Sequence, residues 1–496
     1  MSGVTPPVAP PVTPANSKLK IPYNTPVARN ADNDQLFGLD PKHTSARNRR
    51  YAIEAQKFFL GPMPAQDFLD DFLPRFSKKG MPSSKNAFKH VPEMASREQN
   101  IYTPLISALN GDGKKKMSRC PGFVFDQTST REDIVGEARD RNGRPRAHLG
   151  YAELFFEVKK DPKQDFFTDP KPDADRASHQ FILNIPNERT RQEALEALGQ
   201  NVAYATEACA RQHRTFYFSV SVSGSHARLI RWDRAGAIVT EGFDLHQHPK
   251  FLCEFLWRFS HSTDAQRGYD MTIEPASPEE EVLFRNVITT HVQEQLLEDV
   301  KDAKALKQAV DEHYLSTRVT AVRVYDESTP SHNIHRYLIS RPVVSPLSMT
   351  SRATRGYWAV REDGRIAFLK DTWQCSGEDF EREGDILIGL HQAEVQNIPE
   401  LLHHGNVPSQ LEPSVPSHST GKRKQSAMDD VSIQRSLTDQ YLDAKWLCTG
   451  GIDEVPRRIV TPRVHYRIIL GTVGYSLKTF RGTEELLYST YCAYQG

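Results

Sequence analysis

Residues 352–390 constrain this chain most. Two short β-rich runs, Tyr357–Arg361 and Ile366–Lys370, flank Asp363-Gly364, and an acidic segment with an apolar edge follows. Asp-Gly suits a tight reversal in which both central residues take φ > 0, so the two runs read as an antiparallel hairpin. The segment after it reads as a helix. Ser376 is its N-cap, Asp379 three residues on makes a loose capping box, and Leu387, Ile388 and Leu390 form its apolar side. Lys370, at the end of the return strand, has two readings. It is a phosphate grip held by a helix carboxylate, or it is a solvated strand end beside a solvated helix face. On this pattern alone the solvated reading is the better one.

The chain has 496 residues, room for two or three domains that each bury a core. Lys and Arg number 63, as do Asp and Glu, so no global charge favours nucleic acid or an anionic membrane. The six cysteines, Cys120, Cys209, Cys253, Cys375, Cys448 and Cys492, stand singly, which fits reduced thiols rather than a zinc ribbon or a disulfide framework. The N-terminus, MSGVTPPVAPPVTPANSK, has no apolar core of a secretory signal, and no apolar run is long enough to span a bilayer. The expectation is a soluble intracellular protein, cytoplasmic or nuclear, with no membrane partner.

In chain order, residues 1–48 read as a disordered Pro-rich tail. Residues 49–116 read as a helical segment, with helices over 49–76 and 93–109. Residues 117–275 read as an α/β domain: strands near 123–125, 134–135 and 152–158, a helix over 190–211, a hairpin of 215–222 with 227–233, and an apolar helix over 251–259. Residues 276–330 read as one long charged linker helix, 277–310, followed by a strand. Residues 331–496 read as a further sheet-rich domain interrupted by a polar, Pro/Ser-rich, disordered insertion at 406–440. Its Gly421–Lys424 cluster is a weak nuclear-import candidate.

The α/β domain carries its own constellation. Asp133 precedes an apolar pair, and Glu157 and Lys159 lie two apart on a strand and so share a face. This order resembles the active site of the PD-(D/E)xK nuclease fold. There two carboxylates would hold Mg²⁺ and the lysine would orient the attacking water. Asp133 lies in Arg-Glu-Asp-Ile rather than Pro-Asp, so the domain is expected as a nuclease-like scaffold, with Mg-dependent cleavage as an alternative activity.

From residue 340 onward, RPVVSPLSMTSRATRGYWAV, IAFLKDTW, EGDILIGL, IPELLHHG and VHYRIILGTVGYSLKTFRGTEELLYSTYCAYQG follow one another in an order that resembles the fungal-type protein kinase family. The resemblance implies an α+β chain: a mixed α/β N-terminal domain, a linker helix, and an incomplete kinase-like N-lobe of antiparallel sheet plus one helix. It implies ATP as cofactor, with Lys370 on the phosphates, Glu383 as its helix partner and Glu381 as the fallback. Gly356 remains from a Gly-rich loop, Arg352 and Arg355 stand beside it as candidate phosphate contacts, and Leu470 and Gly471 form the hinge beside the base. It also implies phosphorylation of protein Ser/Thr. The sequence holds no His-Arg-Asp and no Asp-Phe-Gly, the groups that supply the base and the Mg²⁺ ligands. The chain stops at Gly496, short of where those motifs are expected, so it is expected to be inactive alone. A non-catalytic, pseudokinase-like interaction protein is the alternative, and a protein partner is expected over an uncovered apolar surface.

Overall fold

The computed structural model describes residues 41–111, 117–127, 134–137, 152–295, 303–329, 333–346, 348–377, 380–409, 432–450, 460–475 and 482–495. The first part of the chain runs α1 (Pro41–Ala55), β1 (Phe59–Met63), α2 (Ala65–Phe72), α3 (Gln99–Asn110), β2 (Val124–Gln127), β3 (Ile134–Glu137) and β4 (Ala152–Lys159). It continues with α4 (Glu188–Arg211), β5 (Phe216–Ser223), β6 (His226–Asp233), β7 (Ala237–Thr240), β8 (Phe243–Asp244) and α5 (Lys250–His261).

These strands form one sheet in the order β1-β7-β6-β5-β4-β3-β2, with β8 beside β6. The segment β2-β3-β4 is antiparallel, α4 crosses over, and β5 returns parallel to β4. Every residue of β4 is buried, as befits a strand covered on both faces. Helix α4 begins where the Asn187 side chain accepts a hydrogen bond from Thr190 N, and it buries Ala194, Leu198, Val202, Ala205 and Cys209.

The region expected as one helical stretch over 49–76 is instead helix, strand, helix. Phe59 and Leu60 pair in parallel with Ala237 and Ile238 of β7, and all five residues of β1 are buried. A short run of large apolar residues satisfies either period, and the open edge of β7 decided it. The sheet therefore reaches outside 117–275, and α1 begins at Pro41, inside the stretch expected as a tail.

The second part runs β9 (Ile273–Pro275), α6 (Pro278–Gln295), α7 (Ala303–Asp311), β10 (Thr320–Tyr325), β11 (Ile334–Ile339), β12 (Pro342–Val344), β13 (Arg355–Arg361) and β14 (Ile366–Cys375). Then come α8 (Glu383–Gln392), β15 (Leu401–Asn406), β16 (Arg463–Leu470) and α9 (Thr483–Gln495). The sheet is antiparallel in the order β15-β16-β14-β13-β11-β10-β9, with β12 on β13. It curls until the segment after β10 meets β15, where Glu327 N donates to His404 O at 2.8 Å. Val322, Val324, Tyr337, Ile339, Tyr357, Leu369 and Ile469 fill the inside. On the outside, α6 and α7 pack Phe284, Ile288, Val292 and Val310 on Trp358, Val360 and Leu338, while α8 packs Leu387 on Tyr466 and Ile468.

Three expectations change here. Of the 277–310 helix the described residues give α6 and α7, and α6 is a packed layer of this sheet rather than a free linker. The hairpin reversal spans three residues: Arg361 N donates to Arg365 O, Gly364 N to Arg361 O, and Gly364 alone of the pair takes a positive φ, 82°. Strand β14 runs on to Cys375 because β16 pairs with it from Phe368 to Cys375. The helix therefore starts at Glu383, with Arg382 at its N-cap position. Ser376 sits in the connection, its N–H bonded to Pro462 O, and Asp379 lies outside the described residues.

The two sheets share a polar joint. Arg355 Nη1 donates to Gln212 O at 3.1 Å, Arg467 Nη2 to Asp270 Oδ2 at 2.5 Å, and Gln434 Nε2 to Asp270 Oδ1 at 2.8 Å. Within the expected disordered insertion, residues 432–440 are placed: Leu437 N and Thr438 N both donate to Asp233 Oδ2 of β6. Gly421–Lys424 lies outside the described residues.

Candidate functional site

Strand alternation puts Phe368, Lys370 and Thr372 on the outer face of β14, and Leu369 and Asp371 on the inner face. Lys370 Nζ reaches Glu383 Oε2 at 2.5 Å, joining the strand to the first turn of α8. Both groups keep contact with water, at 23% and 30% exposure. Glu381 is exposed, one residue before the N-cap position, so the pairing falls to Glu383. Arg352 stands beside them, its Nη2 3.8 Å from the same Oε2. Its backbone is pinned, since Arg352 O accepts from Trp373 N at 2.7 Å and from Thr372 Oγ1 at 3.0 Å. Two cations thus surround one carboxylate, and the cluster carries one net positive charge.

Arg355, expected beside Arg352 as a phosphate contact, is buried. It lies opposite Asp371 in the β13–β14 register and donates to Asp371 Oδ2 at 2.8 Å. The residue pairs with the inner face because β13 begins there and alternation fixes its direction. Gly356 pairs with Lys370 across the same ladder. A Cβ on Gly356 would stand 2.6 Å from Phe368 Cζ and 3.3 Å from Val344, so glycine here makes room for the Phe368 ring under β12. Leu470 ends β16 opposite Phe368 and Leu401, and Gly471 N donates to Glu400 O at 2.9 Å.

Beyond Gly471 the chain turns back over the outer face. Val473 joins the α6–α7 cluster, and Tyr475 meets Trp358 edge-on at 5.2 Å. Trp358 also stacks on His313 at 3.5 Å and meets His291 edge-on at 5.0 Å. Burial pushes the His313 imidazole down to about 3, with His291 and Arg341 adding to it, so the ring is neutral at pH 7.

Beneath α8, Gly384 N donates to Tyr466 OH at 3.0 Å, and Arg382 ties the helix start to Asp385 at 2.6 Å and to Glu327. On the inner face, burial alone would raise the Asp371 carboxyl. His465, Arg355 and Arg467 overcome it and hold the group well below the usual carboxylate range. The residues of this inner network, Asp371, His465, Arg467 and Asp270, were not singled out from sequence. The signal was present in VHYRIIL, where His465 and Arg467 alternate with Tyr466 and Ile468 as a two-faced strand does.

The other constellation lies in the first sheet. Glu157 and Lys159 share a face of β4, with Nζ 2.6 Å from Oε1, and Glu157 is fully buried. Two residues not anticipated converge on Lys159. Glu98, at the N-cap position of α3, stands 3.7 Å from Lys159 Nζ, and Gln200 of α4 accepts from that Nζ at 3.5 Å. Gln200 also donates to Tyr204 OH at 2.5 Å. Asp133 lies outside the described residues. Among the described residues no helix is long and apolar enough to cross a membrane.

A family model described as fungal protein kinase matches residues 178–493. The match covers α4 to β8 of the first sheet as well as the whole second sheet, so it reaches well before residue 340. No curated protein and no solved structure matches the chain.

Proposed function

The chain belongs to the fungal protein kinase family, and from that premise we propose that the second sheet with α8 is a nucleotide-binding lobe. In this reading it grips the phosphates of ATP through Lys370. The observation that carries the reading is the Lys370–Glu383 pair at 2.5 Å, water-accessible and one residue from a buried, charge-matched network. A lysine is a point charge for phosphate. Glu383 holds it in one rotamer, and Arg352 adds the surplus positive charge. Leu470 and Gly471 would lie beside the base. Trp358, Tyr475 and the α6–α7 layer cover the outer face beside Phe368, so seating the base depends on their moving.

Phosphorylation of protein Ser/Thr is the activity this reading assigns to the family lobe. ATP bound with Mg²⁺ supplies the transferable phosphoryl group. The 496 residues hold neither His-Arg-Asp nor Asp-Phe-Gly, so the base and the metal ligands must come from elsewhere, and this stretch alone binds without turnover. The exposed side chains of Leu487, Tyr488, Tyr491 and Tyr494 on α9 support a protein partner at that helix. Thermal stabilisation by ATP that disappears in Lys370→Ala, with no phosphotransfer to a generic protein substrate, is the expected result. Stabilisation retained in Lys370→Ala overturns the site, and Lys370-dependent turnover overturns the claim of binding alone.

A second reading rests on the convergence of Glu98, Gln200 and Glu157 on Lys159. The run α3-β2-β3-β4-α4-β5 and this cluster support a nuclease-like scaffold, with Mg²⁺-dependent cleavage through Asp133, Glu157 and Lys159 as its activity. Metal-dependent DNA cleavage lost in Glu157→Gln supports it, and absence of cleavage leaves the domain a scaffold.

A further inference from the structure

Where the second sheet closes on itself, three side chains from separate elements turn toward one point. Asp326 follows β10, His335 lies on β11 and His403 on β15. His403 Nδ1 stands 3.1 Å from Asp326 Oδ2, and His335 Nε2 stands 3.8 Å from the same oxygen. One ligand atom from each residue lies within 4.8 Å of the others. Ligands about 2.0–2.1 Å from a tetrahedral zinc ion are about 3.3–3.4 Å apart, and the two measured separations bracket that value. The imidazoles stack at 3.6 Å and 13°, and because an imidazole lone pair lies in its ring plane, the two rings meet one ion only by rotating apart from this stack.

The groups around the point are prepared. Asp326 is 2% exposed and its Oδ1 accepts from Ser328 N at 3.0 Å and Ser328 Oγ at 2.5 Å, which leaves Oδ2 for the histidines. His335 Nε2 is buried and has no hydrogen-bond partner. A buried ring nitrogen left unpaired is costly, and a cation would satisfy it. Asp326 N donates to Asn333 O at 2.8 Å, and the next residue, Glu327, makes the bond that closes the sheet.

We propose that Asp326, His335 and His403 bind one divalent transition-metal ion of the zinc class, which staples β10 and β11 to β15. Two imidazoles and one carboxylate suit Zn²⁺ or Co²⁺ over Mg²⁺ or Ca²⁺, which prefer oxygen ligands. The three protein ligands leave the fourth position to water or an added ligand. Glu327 also pairs with Arg382, the N-cap residue of α8, so the residue next to Asp326 touches the start of that helix.

The test uses the full chain, stripped with chelator and titrated with Zn²⁺ or Co²⁺ alone. The expected result is one equivalent bound per chain, a visible Co²⁺ spectrum of four-coordinate intensity, and a rise in Tm on metal addition. His403→Ala and His335→Ala should each abolish the spectrum and the Tm rise, while His226→Ala leaves both. X-ray absorption on the zinc-loaded unmutated chain should show two imidazoles, so the test survives a variant that fails to fold. No stoichiometric binding, binding indifferent to both substitutions, or a zinc shell without two imidazoles overturns the proposal.

Discussion

Lys370 and Asp371 are neighbours in β14 that serve opposite sides of one sheet: Lys370 pairs with Glu383 on the outer face, and Asp371 pairs with Arg355 and His465 on the inner face. The lysine is therefore anchored from below, and its direction depends on a network confined to the inner face. Replacing Asp371 by Asn strands Arg355, Arg467 and His465 in a buried setting. Breaking such a pair costs about 3–5 kcal/mol, so Asp371→Asn should lose that much in denaturant unfolding. A loss under about 1 kcal/mol would show that the network is not load-sharing.

Gly384 sets how closely α8 approaches the sheet. A Cβ there would stand 2.2 Å from His404 Cγ and 2.6 Å from Tyr466 OH. Overpacking of this kind costs about 1–3 kcal/mol. Gly384→Ala should therefore lower Tm and also weaken ATP binding, because α8 must lift Glu383 away from Lys370. Gly389→Ala, which meets nothing within 4 Å, should change neither.

Acid should destabilise the chain before its carboxylates titrate. His313 and His213 are held down at about 3, the first by burial with His291 and Arg341, the second by burial with Arg355. Their unfolded values are about 6.5. The unfolded chain takes up these protons first, so the stability is complete above about pH 6.5 and drains away as pH falls toward 3. Phe in place of His313 keeps a ring on Trp358 and removes one titration. Tm of His313→Phe should fall less than that of the unmutated chain between pH 7 and 5; equal slopes would refute the assignment. Asp270, held at about 2 by Arg467 and His465 against the effect of burial, adds a second loss between about pH 4 and 2.

The α6–α7 layer restrains the outer face, so loosening it should help a nucleotide. Phe284 is fully buried there. Phe284→Ala should cost about 3–5 kcal/mol of stability and yet raise ATP affinity under conditions where the chain remains folded. Unchanged or weaker affinity would mean that the layer does not gate the site.

What was legible in the sequence was local. The hairpin of β13 and β14, the lysine at its end and the acidic helix after it follow from turn chemistry and short-range periodicity. Glu383 over Glu381 could not be read, because the choice depends on β14 running to Cys375 under pairing from β16, ninety residues away. Phe59–Met63 is strand where periodicity alone reads helix for the same kind of reason: an apolar run takes the period of the edge it meets, here β7. Glu98, Gln200 and the Asp326–His335–His403 group come together only when distant strands and helices do.

The most direct test of the account is equilibrium binding of ATP to the 496-residue chain, compared with Lys370→Ala and Glu383→Gln. The expected result is saturable binding that weakens about ten- to a hundredfold in Lys370→Ala, the loss of one charge-assisted contact, and by a smaller factor in Glu383→Gln. Binding by the unmutated chain that Lys370→Ala leaves unchanged, or no binding at all, would contradict it.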